Sequence, residues 1–293
     1  FAIDTGRYNT EQSDHSVTLV HGAGRPEHLD WYQCNYAGML IEYAPHAFVD
    51  SAAADSTVQH DVHKAQRRIG LVKGPGVPSY TWVVDDINIG GLKYGNGEKG
   101  RFDWQLQTAP ENRIATRQRG ATITGFRYGN LLDVDLFFPL FPNDPKSPDA
   151  HRMVEVFQDI SRPKAVRYLG FDKPGGIEAK VGLYKRPSVM IHGPVYERPR
   201  LVARYEGWNG RSLALLMPRR KGAKKPQIRQ LTAALPGTIG VAITFPDFTD
   251  TVIIGFDHPM LVADGIDERG DWCVVRRRHS DGRIVARVVS KNR

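Results

Sequence analysis

Alternation of apolar and polar residues with a period of two dominates the chain and predicts β-strands with one buried face. The clearest case is 102–107, where Phe102, Trp104 and Leu106 alternate with polar residues, and 80–84 has the same pattern. Further strands with this apolar character are predicted at 16–20, 68–72, 121–126, 131–138, 201–205, 212–217, 240–245, 251–255, 271–276 and 283–289.

Segments rich in Gly and Pro separate most of these strands, at 74–78, 90–100, 172–176 and 280–282. Glycine supplies positive φ angles and proline a fixed φ angle, and both end strands at tight turns. Strands joined by short turns pair as antiparallel sheets. The pattern therefore predicts an all-β fold, an antiparallel β-sandwich of two large sheets, either alone or with a smaller second β portion.

One segment, 150–160, has helical rather than alternating spacing. Met153, Phe157 and Ile160 would share one face of a helix, at spacings of four and three. It follows a connector rich in Pro and Asp at 139–148, which we take as the boundary between an N-terminal part, 1–145, and a C-terminal β-rich part, 146–293. We expect the two parts to form one continuous sandwich, because a crossing between its sheets gives the same pattern.

Composition narrows the class of protein. The 293 residues are 41% hydrophobic and 25% charged, which is typical of a folded chain and excludes disordered and collagen-like sequences. No apolar run reaches about 18 residues, so no membrane span is predicted. Cys34 and Cys273 have no C-x-x-C partner, which argues against a zinc ribbon, and their pairing stays open. The formal net charge of +8 favours an acidic partner: a polyanionic polysaccharide, a nucleic acid or an anionic surface.

Candidate chemistry is concentrated near the start of the chain. Nucleotide-binding glycine motifs, a serine-nucleophile elbow and His-Glu-x-x-His are all absent, which argues against the familiar classes that use them. The remaining cluster of His, Asp and Tyr is made of Asp4, Tyr8, Asp14, His15, His21, His28 and Asp30, with a second group at His60, Asp61 and His63. Imidazole and carboxylate ligands suit zinc, whereas surface histidines, an Asx turn at Asp4 and sheet-packing tyrosines are the ordinary alternatives.

Basic segments occur at 67–68, at 219–221 with Lys224 and Lys225, and at 276–278. The middle segment is predicted to lie in a loop between two strands, where long cationic side chains can reach an anionic ligand, or are simply solvated. The other two lie in or beside strands. Aromatic residues do not interleave these segments, so they do not have the pattern of a single-stranded nucleic-acid platform.

Several short segments follow one another in a characteristic order: AIDTGRY at 2–8, DHSVTLV at 14–20, RRIGLV at 67–72, YTWVVDD at 80–86, FDWQL at 102–106, RLVA at 200–203, LALLMP at 213–218 and DTVI at 250–253. In this order they resemble the C-terminal β-sandwich region of heparinase II/III-like polysaccharide lyases, which join a helical (α/α) toroid to a β-sandwich. The likeness covers most of the chain. Ser16 stands where that family has Asn, and the connection from Asp4 to His15 is shorter.

The resemblance implies a set of site residues and partners. Asp4 and His15 match positions that bind a divalent metal, commonly zinc, together with an upstream His-x-His segment, and Tyr8 matches a tyrosine that takes part in β-elimination. The implied function is the sandwich portion of a lyase that cleaves an acidic, uronate-containing polysaccharide, in the periplasm or secreted, beside a toroid segment or partner chain that these residues do not include. The alternative is a non-catalytic carbohydrate-binding or scaffolding sandwich. Nucleic acid is not expected as a partner.

Overall fold

The computed structural model describes residues 16–21, 38–60, 62–90, 99–109, 111–125, 132–142, 151–161 and 198–290. Within these residues the chain forms 19 strands and one helical turn. In chain order they are β1 Thr18–Val20, β2 Met39–Ala44, β3 Val49–Asp55, α1 Thr57–His60, β4 Lys64–Val72, β5 Tyr80–Asn88, β6 Gly100–Gln107, β7 Arg113–Arg117, β8 Gly120–Thr124, β9 Leu132–Leu140, β10 His151–Ser161, β11 Arg198–Gly207, β12 Gly210–Arg220, β13 Gln227–Leu231, β14 Thr238–Thr244, β15 Phe248–Gly255, β16 Met260–Ala263, β17 Ile266–Arg269, β18 Trp272–Arg278 and β19 Ile284–Val289.

The strands form antiparallel sheets of four, eight and five strands and a two-stranded ribbon. Their orders are β1-β6-β11-β10, β2-β3-β4-β5-β12-β9-β8-β7, β13-β14-β15-β18-β19 and β16-β17. The predicted all-β, antiparallel sandwich fold is confirmed, with three large sheets in the described residues where the sequence suggested two and a smaller portion. Strands from both sides of residue 145 share the first two sheets, and the division into 1–145 and 146–293 stays a prediction.

The middle of the eight-stranded sheet lies between the other two large sheets, and β5 and most of β12 are buried on both faces. On β12, Leu213 and Leu215 pack into the core shared with the five-stranded sheet. Ala214 points the other way, into the core shared with the four-stranded sheet. Because neighbouring side chains on a strand point to opposite faces, a strand covered on both sides needs a continuous apolar run. This explains why 212–217 lacks the alternation seen at 102–107.

The second face of the five-stranded sheet packs against the β16–β17 ribbon. Ile253 and Cys273 meet Leu261 of the ribbon in a third apolar cluster. Cys273 is a free cysteine within the described part of the chain, and burial raises the pKa of its thiol to about 12. The thiol therefore stays protonated at neutral pH and contributes packing rather than reactivity.

The predicted helix at 150–160 is wrong, because residues 151–160 lie in strand β10, which pairs with β11 along its length. The register shifts between Met153 and Glu155, at a β-bulge. Met153 and Val156 consequently both pack against the core shared with the eight-stranded sheet, three residues apart. Phe157 lies on the opposite face, under Arg204, so the residues that predicted a helix do not share one face of this bulged strand.

The predicted turns at 74–78 and 280–282 join β4 to β5 and β18 to β19. Gly74, Gly76 and Gly282 have φ angles of 117°, 86° and 68°, in the region that glycine adopts without strain. No described helix has the length and apolar character needed to cross a membrane.

Candidate functional site

Asp4, Tyr8 and His15, the residues predicted to bind a metal and to act in catalysis, lie outside the described residues. Ser16, the residue after His15, is the first described residue, and β1 starts at Thr18. The assignment of Asp4, Tyr8 and His15 therefore stays a prediction. The structure shows the surroundings of β1, the strand that follows them in the chain. No group of three His, Cys, Asp or Glu side chains able to hold a metal occurs among the described residues.

A buried ion pair fixes β1 over the eight-stranded sheet. Arg67 on β4 binds both carboxylate oxygens of Asp85 on β5, through Nε at 2.7 Å and a terminal nitrogen at 2.9 Å. The Thr18 hydroxyl donates to the same carboxylate at 2.8 Å, and Arg67 donates to the Ser16 carbonyl oxygen at 2.8 Å. These contacts, which we call the β1 anchor, hold the backbone immediately after His15.

Other polar side chains are buried around the β1 anchor, inside the sandwich. Tyr205 and Ser212 are buried beside it, and burial raises the pKa of the Tyr205 hydroxyl, which stays protonated. His60, from the second predicted histidine group, is also buried, and burial lowers its pKa and favours the neutral ring. His63 is exposed instead. The structure therefore does not bring these two histidines together as a metal site.

Beyond the anchor, β1 ends at a polar face on the outside of the four-stranded sheet. This face is defined by His21, Arg101, Asp103, Gln105, Glu155, Phe157, Asp159, Arg200 and Arg204. Arg204 binds Asp103 through two hydrogen bonds of 2.8 Å and lies over the Phe157 ring at 5.0 Å. His21 meets the same carboxylate at 2.8 Å. The face thus presents guanidinium, imidazole, amide and carboxylate groups from four adjacent strands.

The sequence interpretation missed how deeply this polar side is buried. The residues Asp103 and Gln105 are only 4% and 2% exposed, although the 102–107 alternation predicts that they face solvent. Each is satisfied by an arginine of β11: Arg204 binds Asp103, and Arg200 donates to the Gln105 side-chain oxygen at 3.2 Å. Asp and Gln at these alternating positions, in place of Lys or Glu, were the available signal.

The Asp103 carboxylate has an unusual titration. Burial alone would raise its pKa, but the hydrogen bonds from Arg204 and His21 outweigh burial and hold the pKa well below its ordinary value of 3.8. The charged form is thus favoured in the folded state, and Asp103 stays ionised at neutral and mildly acidic pH.

Stability should therefore depend on Asp103 in acid. Below the ordinary pKa the unfolded chain takes up a proton that the folded chain does not, so this contribution is complete above that value and is lost as the pH falls. We expect the free energy of unfolding to decrease less steeply below about pH 5 in Asp103→Asn than in the parent. Urea unfolding over a pH series measures this pH dependence of the free energy of unfolding. Exposed Asp247 provides the matched control, Asp247→Asn, and identical slopes for all three proteins would contradict the assignment.

The basic segments have different outcomes. Arg67 and Arg68 pair with Asp85 and Asp271, and Arg276 is buried against Asp250, so these arginines hold the fold together. Arg219 and Arg220 of the middle segment lie in β12, where a loop was predicted, because they pair with the start of β9. Lys221, Lys224 and Lys225 lie in the loop to β13, as predicted, and are exposed.

Comparison with protein-family models and with curated proteins finds no match for this sequence. The resemblance to heparinase II/III-like lyases accordingly stays a prediction drawn from the order of its segments.

Proposed function

We propose that this chain is the β-sandwich portion of a polysaccharide lyase that cleaves an acidic, uronate-containing polysaccharide by β-elimination. The observation that carries the proposal is the placement of β1. The backbone is anchored at Ser16 and Thr18, immediately after His15, and His21, the residue that follows β1, lies on the polar face. The predicted site residues therefore lead directly into a surface built from hydrogen-bonding side chains.

The reaction needs three things from the protein. A base removes the C5 proton of the uronate, the C5–H electrons form a C4–C5 double bond, and the C4–O bond breaks while an acid protonates the leaving oxygen. Donors must also stabilise the charge that develops on the uronate carboxylate. We assign acid–base work to Tyr8, whose phenol can donate or accept a proton. The remaining acid–base groups would come from a toroid segment or partner chain.

We assign Asp4 and His15 to a divalent metal, zinc, because a carboxylate with an imidazole is a donor set that zinc accepts. When bound, the ion would supply a fixed positive charge at the cleft wall. The β1 anchor would position His15, because Arg67 donates a hydrogen bond of 2.8 Å to the carbonyl oxygen of Ser16, the next residue.

The polar face would contact the sugar chain. Its described arginines, Arg101, Arg200 and Arg204, are balanced by three carboxylates, so binding here would rely on directed hydrogen bonds rather than on net charge. Arg204 stacked on Phe157 gives a flat surface of the kind on which a sugar ring can lie.

The test is formation of the unsaturated uronate, followed by the ultraviolet absorbance of its new double bond. The protein is assayed on alginate, hyaluronan, chondroitin sulfate and heparin, alone and with any helical companion chain that co-purifies from its native source. We expect Tyr8→Phe to reduce turnover by about a hundredfold or more, because general acid–base groups contribute on that scale. We expect it to retain bound zinc, and His15→Ala to lose the zinc by elemental analysis.

The matched controls are Tyr43→Phe and His63→Ala, which change exposed residues of the same types. Neither should alter turnover or metal content. Turnover that survives Tyr8→Phe would remove that residue from the mechanism, and zinc content unaffected by His15→Ala would remove the metal assignment.

The second candidate is a non-catalytic carbohydrate-binding or scaffolding sandwich. It is favoured by the extent of the polar face within the described residues, which could bind a glycan by itself. It predicts that uronate oligosaccharides bind with no double bond formed under any of these conditions.

A further inference from the structure

A group of cations surrounds the end of β12, where this strand leads into the loop 221–226. Arg117 of the β7–β8 hairpin reaches the same group from across β9 through its contact with Asp135. We call this group the basic ridge, and it consists of Arg117, Arg219, Arg220, Lys221, Lys224 and Lys225.

One carboxylate organises the ridge. Asp135 on β9 is fully buried, at 0% exposure, and pairs with cations from three elements. Lys225 of the loop approaches it at 2.7 Å, Arg117 of β7 at 3.2 Å and Arg219 of β12 through its Nε. Burial would raise the pKa of Asp135, but the hydrogen bonds from Lys225 and its other partners outweigh burial and lower it. The ionised Asp135 carboxylate thereby connects the loop to the β7–β8 hairpin.

A tight turn fixes the tip of the ridge. The Ala223 amide donates to the Arg220 carbonyl oxygen at 3.0 Å, which closes a four-residue turn. Gly222, at its third position, has φ of 80°, as a type II turn requires. The turn directs the side chain at position 221 away from the sheet and limits the conformations of the loop.

The ridge carries more positive charge than its surroundings neutralise. Asp133 and Asp135 are the carboxylates paired with its cations among the described residues. Arg220, Lys221 and Lys224 are exposed, and none forms an ion pair with any described residue. Clustered cations raise the local concentration of anionic ligands. If the ridge served only to stabilise the fold, the cations that pair with Asp133 and Asp135 would be sufficient. The three exposed cations are not explained by such a role.

We propose that the basic ridge is a second binding site, one that holds the sulfate or carboxylate groups of a linear acidic polysaccharide away from the place of cleavage. The inference rests on the proposed function and adds a subsite to it. It supplies the net positive charge that the polar face lacks. Within the described residues, no exposed aromatic side chain on which nucleic-acid bases could stack belongs to the ridge, so a polysaccharide fits better than single-stranded nucleic acid.

The test is heparin binding by the full chain, measured by calorimetry at low and moderate salt. The variant Arg220→Gln, Lys221→Gln and Lys224→Gln removes the three unpaired cations and leaves the contacts of Asp135 intact. We expect about a tenfold loss of heparin affinity, since an exposed ion pair contributes a factor of about two to five. The loss should shrink as salt screens the charges.

The control variant makes the same charge change on exposed arginines of the ribbon and the β18–β19 hairpin, namely Arg269→Gln, Arg277→Gln and Arg283→Gln. It should keep its affinity within about twofold, the lower limit for one exposed pair. Equal losses in both variants would mean a general charge effect and would overturn the proposal. Single-stranded DNA of equal charge that binds the ridge as tightly as heparin would also overturn it.

The result separates this inference from the proposed function. Heparin binding through the ridge with no double bond formed on any polymer leaves the subsite standing and removes the lyase assignment. If the protein forms the double bond but the ridge substitutions do not change its heparin affinity, the lyase assignment stands and the subsite is removed.

Discussion

Replacing Asp250 with alanine is expected to lower the free energy of unfolding by about 3–5 kcal/mol, the usual cost of removing one partner from a buried ion pair. Asp250 on β15 is 0% exposed and receives two hydrogen bonds of 2.7 Å from Arg276 on β18. The Tyr80 hydroxyl of β5 donates to it at 2.9 Å. One carboxylate therefore links the five-stranded sheet to the eight-stranded sheet.

The cost is large because neither partner can reach water in the folded state. Arg276 is 2% exposed and lies over the Phe48 ring at 4.8 Å, so it would remain a buried, unpaired cation. Burial and the neighbouring Asp250 charge raise the pKa of Tyr80 well above its ordinary value, so this tyrosine stays a donor without an acceptor. Removing it instead, in Tyr80→Phe, should cost only about 1.5–3 kcal/mol.

Chemical denaturation measures both variants. Asp281→Ala removes a carboxylate near the exposed Arg278 at 3.4 Å and serves as the control, with a loss of less than about 1 kcal/mol. A loss that small in Asp250→Ala would show that Arg276 finds water or another partner, and that the buried pair is not what joins these sheets.

The strands were predictable from sequence because a strand with one face on an apolar core alternates apolar and polar residues. The alternation at 102–107 identified a strand, although its polar side is buried as well, and the turn at 280–282 was equally visible in its glycine. The helix predicted at 150–160 failed because Met153, Phe157 and Ile160 do not share a face: Met153 packs against the core, whereas Phe157 lies on the outer face under Arg204. Local spacing cannot distinguish such a strand from a helix, since only pairing with β11 decides between them.

The polar contacts were beyond sequence reasoning for a different reason. Asp135 meets Arg219 and Lys225 across 84 and 90 residues of chain. Nothing local marks Asp135 as the carboxylate on which these cations converge. Likewise, Arg67 and Arg68 look alike in the sequence, yet they lie on opposite faces of β4 and bind carboxylates on β5 and just before β18. Side-chain partners follow from sheet order and register, which residue patterns do not specify.

That difference between adjacent arginines gives the second large expected effect. Asp85→Ala should destabilise the protein by about 2–4 kcal/mol, somewhat below the range for a fully buried pair because the Arg67 side chain is 24% exposed. Thr18 would lose its acceptor at the same time. The loss should be concentrated at β1, which the β1 anchor holds against the eight-stranded sheet.

Hydrogen exchange distinguishes a local effect from a global one. The amides of His21 and Gln105, which pair β1 with β6, should exchange faster in Asp85→Ala, relative to the global change, than amides in β14. Asp271→Ala, which releases the neighbouring Arg68, is the matched control and should leave β1 protected. Equal loss of protection at β1 and β14 would contradict a local role for the anchor.

The same variant connects the fold to the proposed site. Asp85 acts through β1 as a positioning residue, because it touches neither substrate nor metal in this proposal. If the anchor sets the place of His15, Asp85→Ala should weaken zinc binding at temperatures where the protein is still folded, and excess zinc should restore the metal content. Asp271→Ala should need no added zinc. If the β1 amides of Asp85→Ala exchange rapidly while zinc affinity stays normal, the anchor does not position the metal site.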